Sequence, residues 1–161
     1  DLLIYVIPVE AFGSERDLVH LTYIKKNAKF KRIIFVVNMM DSCDYEEESN
    51  AEIIENVKEH LRSIGFSDPI VCPISAKAGG LIKAKLSCQQ LSESEMRACS
   101  EFKRRYLQPE YNLSAFYSFK KNYETQTFCN KQHSEADWAE AYKATGLPSL
   151  ESTILEQIEE D

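Results

Sequence analysis

The residues with the clearest chemical potential lie in two short stretches, Asn38-Met39-Met40-Asp41 and Ser75-Ala76-Lys77. Each follows an apolar run: "RIIFVV" (Arg32 to Val37) precedes the first, and "PIVCP" (Pro69 to Pro73) precedes the second. In open α/β sheets ligands bind beyond the carboxyl ends of the strands, so polar residues just past a buried strand are the natural candidates for a site. A carboxylate fixed there, that of Asp41, can accept two parallel hydrogen bonds from an N–H and an exocyclic amine. Guanine presents that pair and adenine does not, so Asp41 would select the first over the second. The Asn38 amide can tie neighbouring loops, a backbone N–H near Ala76 can donate to a purine carbonyl, and the stem of Lys77 can cover the base plane.

The elements that must position these residues follow from hydrophobic spacing. Leu2 to Ile7 is a continuous apolar run, the pattern of a strand buried on both faces. Gly13 and Ser14 then open a helix, with Ser14 and Asp17 spaced like a capping box and Leu18, Leu21 and Ile24 on one side. After the Arg32 to Val37 strand, a second helix spans about Asn50 to Ile64, capped by Ser49 with Glu52 reciprocal; its apolar stripe is Ile53, Val57, Leu61 and Ile64, and Gly65 stops it. Strand, helix, strand, helix, strand at this spacing implies right-handed crossovers and a parallel α/β sheet.

Beyond Gly80 the strand rhythm stops. Leu91 to about Leu107 reads as a helix capped by Ser92 and Glu95, with Met96, Cys99, Phe102 and Tyr106 on one face. Tyr111 to Asn130 has no clear period and reads as an irregular insertion, and Ser134 to Ala144 as a short helix carrying Trp138. Leu147, Leu150, Ile154 and Ile158 then define a last amphipathic helix, with Pro148 in its first turn. The expected organisation is residues 1–80 as the strand-and-helix unit, 81–145 as a mostly helical insertion and 146–161 as a closing helix.

Composition narrows the functional classes. The 161 residues, 43% apolar, can bury one sizeable core. Nineteen basic against 26 acidic side chains give a charge of −7 with no continuous Lys/Arg stripe, which argues against a nucleic-acid surface. Lys103-Arg104-Arg105 reads as a solvated helix face. No apolar run approaches the roughly 18 residues that span a bilayer, and no signal peptide is visible. The five cysteines are odd in number and lack a CxxC pair, so they read as reduced thiols of a cytoplasmic protein. The abrupt start at Asp1, without Met, reads as a piece of a longer chain.

"NMMD" (Asn38 to Asp41) resembles the base-reading NKxD motif of P-loop GTPases, and "SAK" (Ser75 to Lys77) resembles their last motif, one strand and one helix later. Asn and Asp often end strands as turn formers, so it is the pair, in order, that carries the likeness. "LSESE", "PEYNLSAFY" and "TGLPSLESTI" resemble bacterial members of the dynamin family, in which a long insertion precedes the closing helix of the GTPase domain. The resemblance implies a partial P-loop GTPase domain whose guanine site is Asn38, Met39, Asp41, Ser75, Ala76 and Lys77. It implies GTP or GDP as ligand, Mg²⁺ in the parent protein, and a possible tie to membrane surfaces through that parent. Two departures qualify it. Met39 stands where the family has Lys, supplying apolar cover without the charge. The sequence also contains no GxxxxGK[ST] and no DxxG, so the catalytic half of the site is absent from it.

The chain alone is therefore expected to hydrolyse nothing. Leu2 to Ile7, lacking a phosphate-loop strand beside it, is expected at a sheet edge with a tendency to self-associate. His20, His60 and His133 lie far apart and read as surface or core-packing residues. Ser14 and Ser75 lack a GxSxG setting, and Asp41, Asp44, Glu46, Glu47 and Glu48 lack the alternation and glycine of a calcium loop. Trp138, Tyr142, Phe116 and Tyr117 read as packing the insertion onto the domain. The rival reading is a degenerate, non-catalytic interaction module in which Met39 marks lost nucleotide binding. A flavodoxin-like binding domain ranks lower, because "PVEAFG" supplies only Glu10 between the first strand and the helix-opening Ser14.

Overall fold

The computed structural model describes residues 1–27, 32–43, 48–117 and 133–159, with the side chains of 133–135 excepted. Three parallel strands, β1 (Leu2–Pro8), β2 (Arg32–Asn38) and β3 (Ile70–Pro73), form a sheet in that order. Six helices accompany them: α1 (Glu15–Asn27), α2 (Asn50–Ile64), α3 (Ala76–Leu86), α4 (Glu93–Tyr106), α5 (His133–Ala144) and α6 (Leu147–Glu159). The fold is α/β, three parallel strands flanked by helices, as the spacing of the apolar runs implies.

β2 is the central strand, and four consecutive residues, Ile34 to Val37, are buried there at 0 to 2% exposure. Alternation sends Phe35 and Val37 to one face, with Leu21 of α1 and Ile53, Ile54, Val57 and Leu61 of α2. Ile34 and Val36 go to the other, with Cys72 of β3 and Leu150 of α6. Each of these β2 side chains contributes roughly 1.5–3 kcal/mol by leaving water.

β1 behaves differently from its sequence pattern. It pairs with β2 from Leu2↔Arg32 to Pro8↔Asn38 and, among the described residues, lies at the sheet edge. On the face shared with Ile34 and Val36, Leu2 packs against the cluster that holds Leu150 of α6, while Ile4 and Val6 remain at 39% and 57% exposure. The expected burial on both faces is therefore wrong for this strand, and the expected edge position is what the structure has.

The helix ends follow their caps. Ser49 and Glu52 make a reciprocal capping box for α2, Ser92 and Glu95 another for α4, and Gly65 ends α2 at φ 107°. In α1, however, Asp17 is buried beside Leu21, at 3% and 0% exposure, while Leu18 is 42% exposed. Ser14 Oγ accepts the Asp17 N–H at 3.2 Å, as the capping spacing implies, while the Asp17 carboxylate accepts the Tyr5 hydroxyl at 2.7 Å and the Gly13 N–H at 3.0 Å and so locks the β1–α1 connection. Ile158, expected on the buried stripe of α6, is 56% exposed.

α3 has no counterpart in the sequence reading, and the boundary drawn at residue 80 falls inside it. Two consecutive glycines, Gly79 and Gly80, lower its intrinsic helicity by about 1 kcal/mol each. Gly79 has a packing reason: a Cβ there would sit 2.9 Å from Leu147 Cδ2 and 3.0 Å from Thr145 Oγ1. The start of α6 thus comes against α3 where no side chain intervenes. α3, α4 and α5 pack on one another, and Cys99, Tyr106, Leu113 and Tyr142 join the α2-side core. Phe116 and Trp138 pack against that core and Tyr117 against the other, as expected of the insertion aromatics. Residues 109–116 form two short 3-10 turns, and the remainder of the expected irregular stretch, 118–130, lies outside the described residues.

Candidate functional site

The site is built where β2 and β3 end side by side. β2 stops at Asn38, whose Oδ1 accepts the Met39 N–H at 2.7 Å and, across the strands, the Ala76 N–H at 3.0 Å. This is the loop-tying role its amide was expected to play. It also means that the Ala76 N–H, expected to face a purine carbonyl, is engaged by Asn38 in this structure. Met39 turns the chain with φ 66° and ψ 29°, the left-handed region, which costs a residue bearing Cβ about 1–2 kcal/mol. Its carbonyl accepts the Ser42 N–H at 2.9 Å and the Ser42 hydroxyl at 2.7 Å, closing a 3-10 turn over Met40–Ser42. Met40, fully buried, anchors that turn, and its N–H donates to the Ile74 carbonyl at 3.3 Å.

The turn delivers the Asp41 carboxylate to Ser75, whose hydroxyl donates to Asp41 Oδ1. Ser75 is fully buried and triply employed. Its N–H donates to the Thr145 carbonyl at 3.0 Å, and its Oγ caps α3 by accepting the Ala78 N–H at 3.3 Å. Asn38 with Ala76 and Asp41 with Ser75 therefore make two cross-links between the strand ends. Met39 is 42% exposed, and Lys77 is exposed with its ammonium 5.9 Å from the Phe102 ring of α4. Two of the six sequence candidates thus lie at the surface, and four are hydrogen-bonded in pairs.

Two further residues reach the site from α4, and sequence reasoning missed both. Arg105 Nη1 donates to the Asp41 carbonyl at 2.7 Å, and its guanidinium carbon lies 5.5 Å from the Tyr111 ring centroid. Lys103 pairs with Asp137 at 3.2 Å and sits 5.0 Å over Trp138. Of the expected solvated basic face, only Arg104 is exposed. Tyr106, 2% exposed, lies beside Ser75 and Asp41. Burial raises its phenol well above the usual tyrosine range and the Asp41 charge adds to the rise, so the group is a protonated donor. No sequence signal marks either residue: one reads as surface charge, the other as an apolar-face aromatic.

A cleft of about 350 Å³ lies on the α1 side of the Asp41 turn, between Val9, Phe12, Cys43, Ile53 and His60. His60 packs edge-on against Phe12 at 5.2 Å, and His20 lies at the surface; the His133 side chain lies outside the described residues. Burial, then the carboxylates of Asp41, Glu10 and Glu48, push the Cys43 thiol up, away from thiolate chemistry. Among the described residues no three His, Cys, Asp or Glu side chains gather to hold a metal ion, and no helix is long and apolar enough to cross a membrane. Asp44, Glu46 and Glu47 of the acidic cluster lie outside the described residues, and Glu48 accepts the Asn56 amide at 2.6 Å.

No family model matches the chain, and no solved structure matches it. A stretch of 69 residues, 42% of the chain, is 41% identical to elongation factor 1-alpha 2 of Euplotes crassus. The matched stretch amounts to 15% of the length of that protein.

Proposed function

We propose that this chain is the guanine-reading part of a GTPase domain. The observation that carries the reading is the Asp41–Ser75 pair. Ser75 fixes one carboxylate oxygen by a single donated bond, and each carboxylate oxygen has capacity for two, so the outer edge can still take the guanine N1–H and N2–H together. Asn38 holds the neighbouring loop in register through Ala76, and Met39 supplies apolar surface at the loop tip. The likeness to an elongation factor 1-alpha, a GTPase, supports guanine-nucleotide binding over other ligand classes, as does a three-stranded parallel sheet with the motifs at its carboxyl edge.

Mg²⁺ does not fit the residues at hand: the described residues gather no carboxylate cluster and the sequence has neither GxxxxGK[ST] nor DxxG. Phosphate and metal handling belong, in this reading, to other parts of the parent protein. Placement within the GTPases rests on two unlike supports. The "LSESE", "PEYNLSAFY" and "TGLPSLESTI" stretches favour a dynamin-like parent working at membranes. The 69-residue match favours a parent akin to the elongation factors.

The test is nucleotide selection by the full-length protein, wild type and Asp41→Asn, titrated with GTP, ATP and XTP. The wild type should prefer GTP, and the variant should turn toward XTP, whose second carbonyl accepts the new amide donor. A wild type indifferent to the base defeats the proposal.

The second reading, a non-catalytic assembly module, is favoured by a separate observation: Ile4 and Val6 stand exposed on the edge strand β1. It predicts self-association through that edge, which Val6→Lys would abolish in sedimentation measurements.

A further inference from the structure

The Asp41 turn has little internal support. Met39 enters it in the left-handed region, at φ 66° and ψ 29°, and no side chain caps its start. A 3-10 turn of three residues leaves its last carbonyls without partners inside the turn, and the chain is already extended at Cys43, with φ −67° and ψ 141°. Base selection needs the opposite of a loose turn. Two parallel bonds to one carboxylate form only when its plane meets the base edge, so any freedom left in the turn must be given up on binding.

α4 supplies what the turn lacks. Arg105 Nη1 donates to the Asp41 carbonyl at 2.7 Å, giving that acceptor a charged donor, and the Tyr111 ring centroid lies 5.5 Å from the guanidinium carbon. The segment of Tyr111 is itself fixed to the start of α2, where Asn50 Nδ2 donates to the Glu110 carbonyl at 2.8 Å. Asp41 is thus held at both ends, its carbonyl by Arg105 and its Oδ1 by the Ser75 hydroxyl. Phe102, three residues before Arg105 and so on the same side of α4, has the Lys77 ammonium 5.9 Å from its ring. One side of one helix therefore reaches both loops that carry the candidate base contacts.

We infer that Arg105 is a positioning residue for base selection: from α4 it holds the Asp41 turn so that the outer carboxylate edge is already set for the guanine N1–H and N2–H. Arg105 acts through the backbone of Asp41, without touching the base. The contact exists in the free structure, so its contribution is preorganisation and needs no change of shape on binding. Its loss is felt only by a nucleotide that uses the Asp41 carboxylate. The helical insertion, a separate segment by sequence, thereby belongs to the specificity site. This inference rests on the guanine-reading proposal.

The experiment compares wild type, Arg105→Ala, Asp41→Ala and the double variant of the full-length protein, with Arg105→Lys as a milder fifth protein, measuring GTP and ATP affinity. Arg105→Ala should lose about three- to tenfold in GTP affinity, the cost of ordering the turn on binding, and keep ATP affinity within about twofold of wild type. The GTP loss should vanish in the Asp41→Ala background, where Arg105 still has its carbonyl but no carboxylate remains to aim. A merely structural Arg105 would weaken both nucleotides alike, or act equally in both backgrounds. Arg105→Lys, which keeps a charged donor, should fall between wild type and Arg105→Ala, and its GTP-confined loss carries the test if the alanine variant does not fold. GTP affinity unchanged, equal losses for GTP and ATP, or a loss that persists in the Asp41→Ala background each overturns the inference while the wild-type preference for GTP still stands. A wild type with no GTP preference over ATP overturns the guanine-reading proposal, and this inference with it.

Discussion

Arg105 Nη1 donates to the backbone carbonyl of Asp41 at 2.7 Å, joining residues 64 positions apart. The contact ties the end of α4, which belongs by sequence to an insertion, to the turn that carries the candidate base-reading carboxylate. A guanidinium on a part-buried carbonyl is a charge-assisted bond of about 1.5–3 kcal/mol. Arg105→Ala should therefore lower unfolding stability by roughly that amount. Arg105→Lys should recover less than half, because Lys cannot also lay a planar fork on Tyr111. Urea denaturation of the three proteins decides it, and equal midpoints would remove the tie.

Gly79 is the position at which a single methyl group should matter most. An Ala Cβ would press on Leu147 Cδ2 at 2.9 Å and on Leu147 Cβ and Thr145 Oγ1 at 3.0 Å. Overpacking of this kind costs about 1–3 kcal/mol, against up to about 1 kcal/mol gained from better helix propensity. Gly79→Ala should thus destabilise on balance. Gly80→Ala, with nothing within 4 Å of its Cβ, should stabilise. The opposite order of melting temperatures would mean that α6 does not dock on α3 as described.

Stability should fall in alkali for an identifiable reason. Burial raises the phenols of Tyr106 and Tyr117 above 10.0 in the folded state and pushes the Cys72 thiol from 9.0 up to about 12. Groups with raised folded values contribute fully below their unfolded values and lose that contribution as pH climbs above them. The urea midpoint should hold steady to about pH 8, begin to fall near 9 as unfolded Cys72 ionises, and fall faster above 10. Each group adds up to about 1.4 kcal/mol per pH unit. Midpoints unchanged at pH 10.5 would show that these side chains are not buried.

The 161-residue chain by itself should release no phosphate from GTP, with or without Mg²⁺, because positioning of the phosphates and metal supplies nearly all of phosphoryl-transfer catalysis. Phosphate release measured on the purified chain settles the matter. Turnover above the buffer rate would place catalytic residues where none has been assigned.

The sequence by itself determined the parallel α/β sheet and the place of the candidate site. Apolar runs followed by NMMD and SAK are local signals, since strand burial shows as unbroken hydrophobicity and strand ends show as polar turn formers. Caps such as Ser49 with Glu52 are equally local, involving backbone groups three residues apart. What required the tertiary structure was every feature set by contacts distant in sequence. The exposure of Ile4 and Val6 depends on what packs over that face of the sheet, and no property of β1 encodes it. The reason α3 carries Gly79, its close approach to Leu147, is likewise a contact distant in sequence. Arg105 and Tyr106 read as a surface charge and a core aromatic, because a side chain's partner 31 or 64 residues away leaves no trace in local spacing. Propensity and periodicity report what a segment prefers on its own. The assignment of a hydroxyl or a guanidinium to one loop depends on where the whole chain brings that loop.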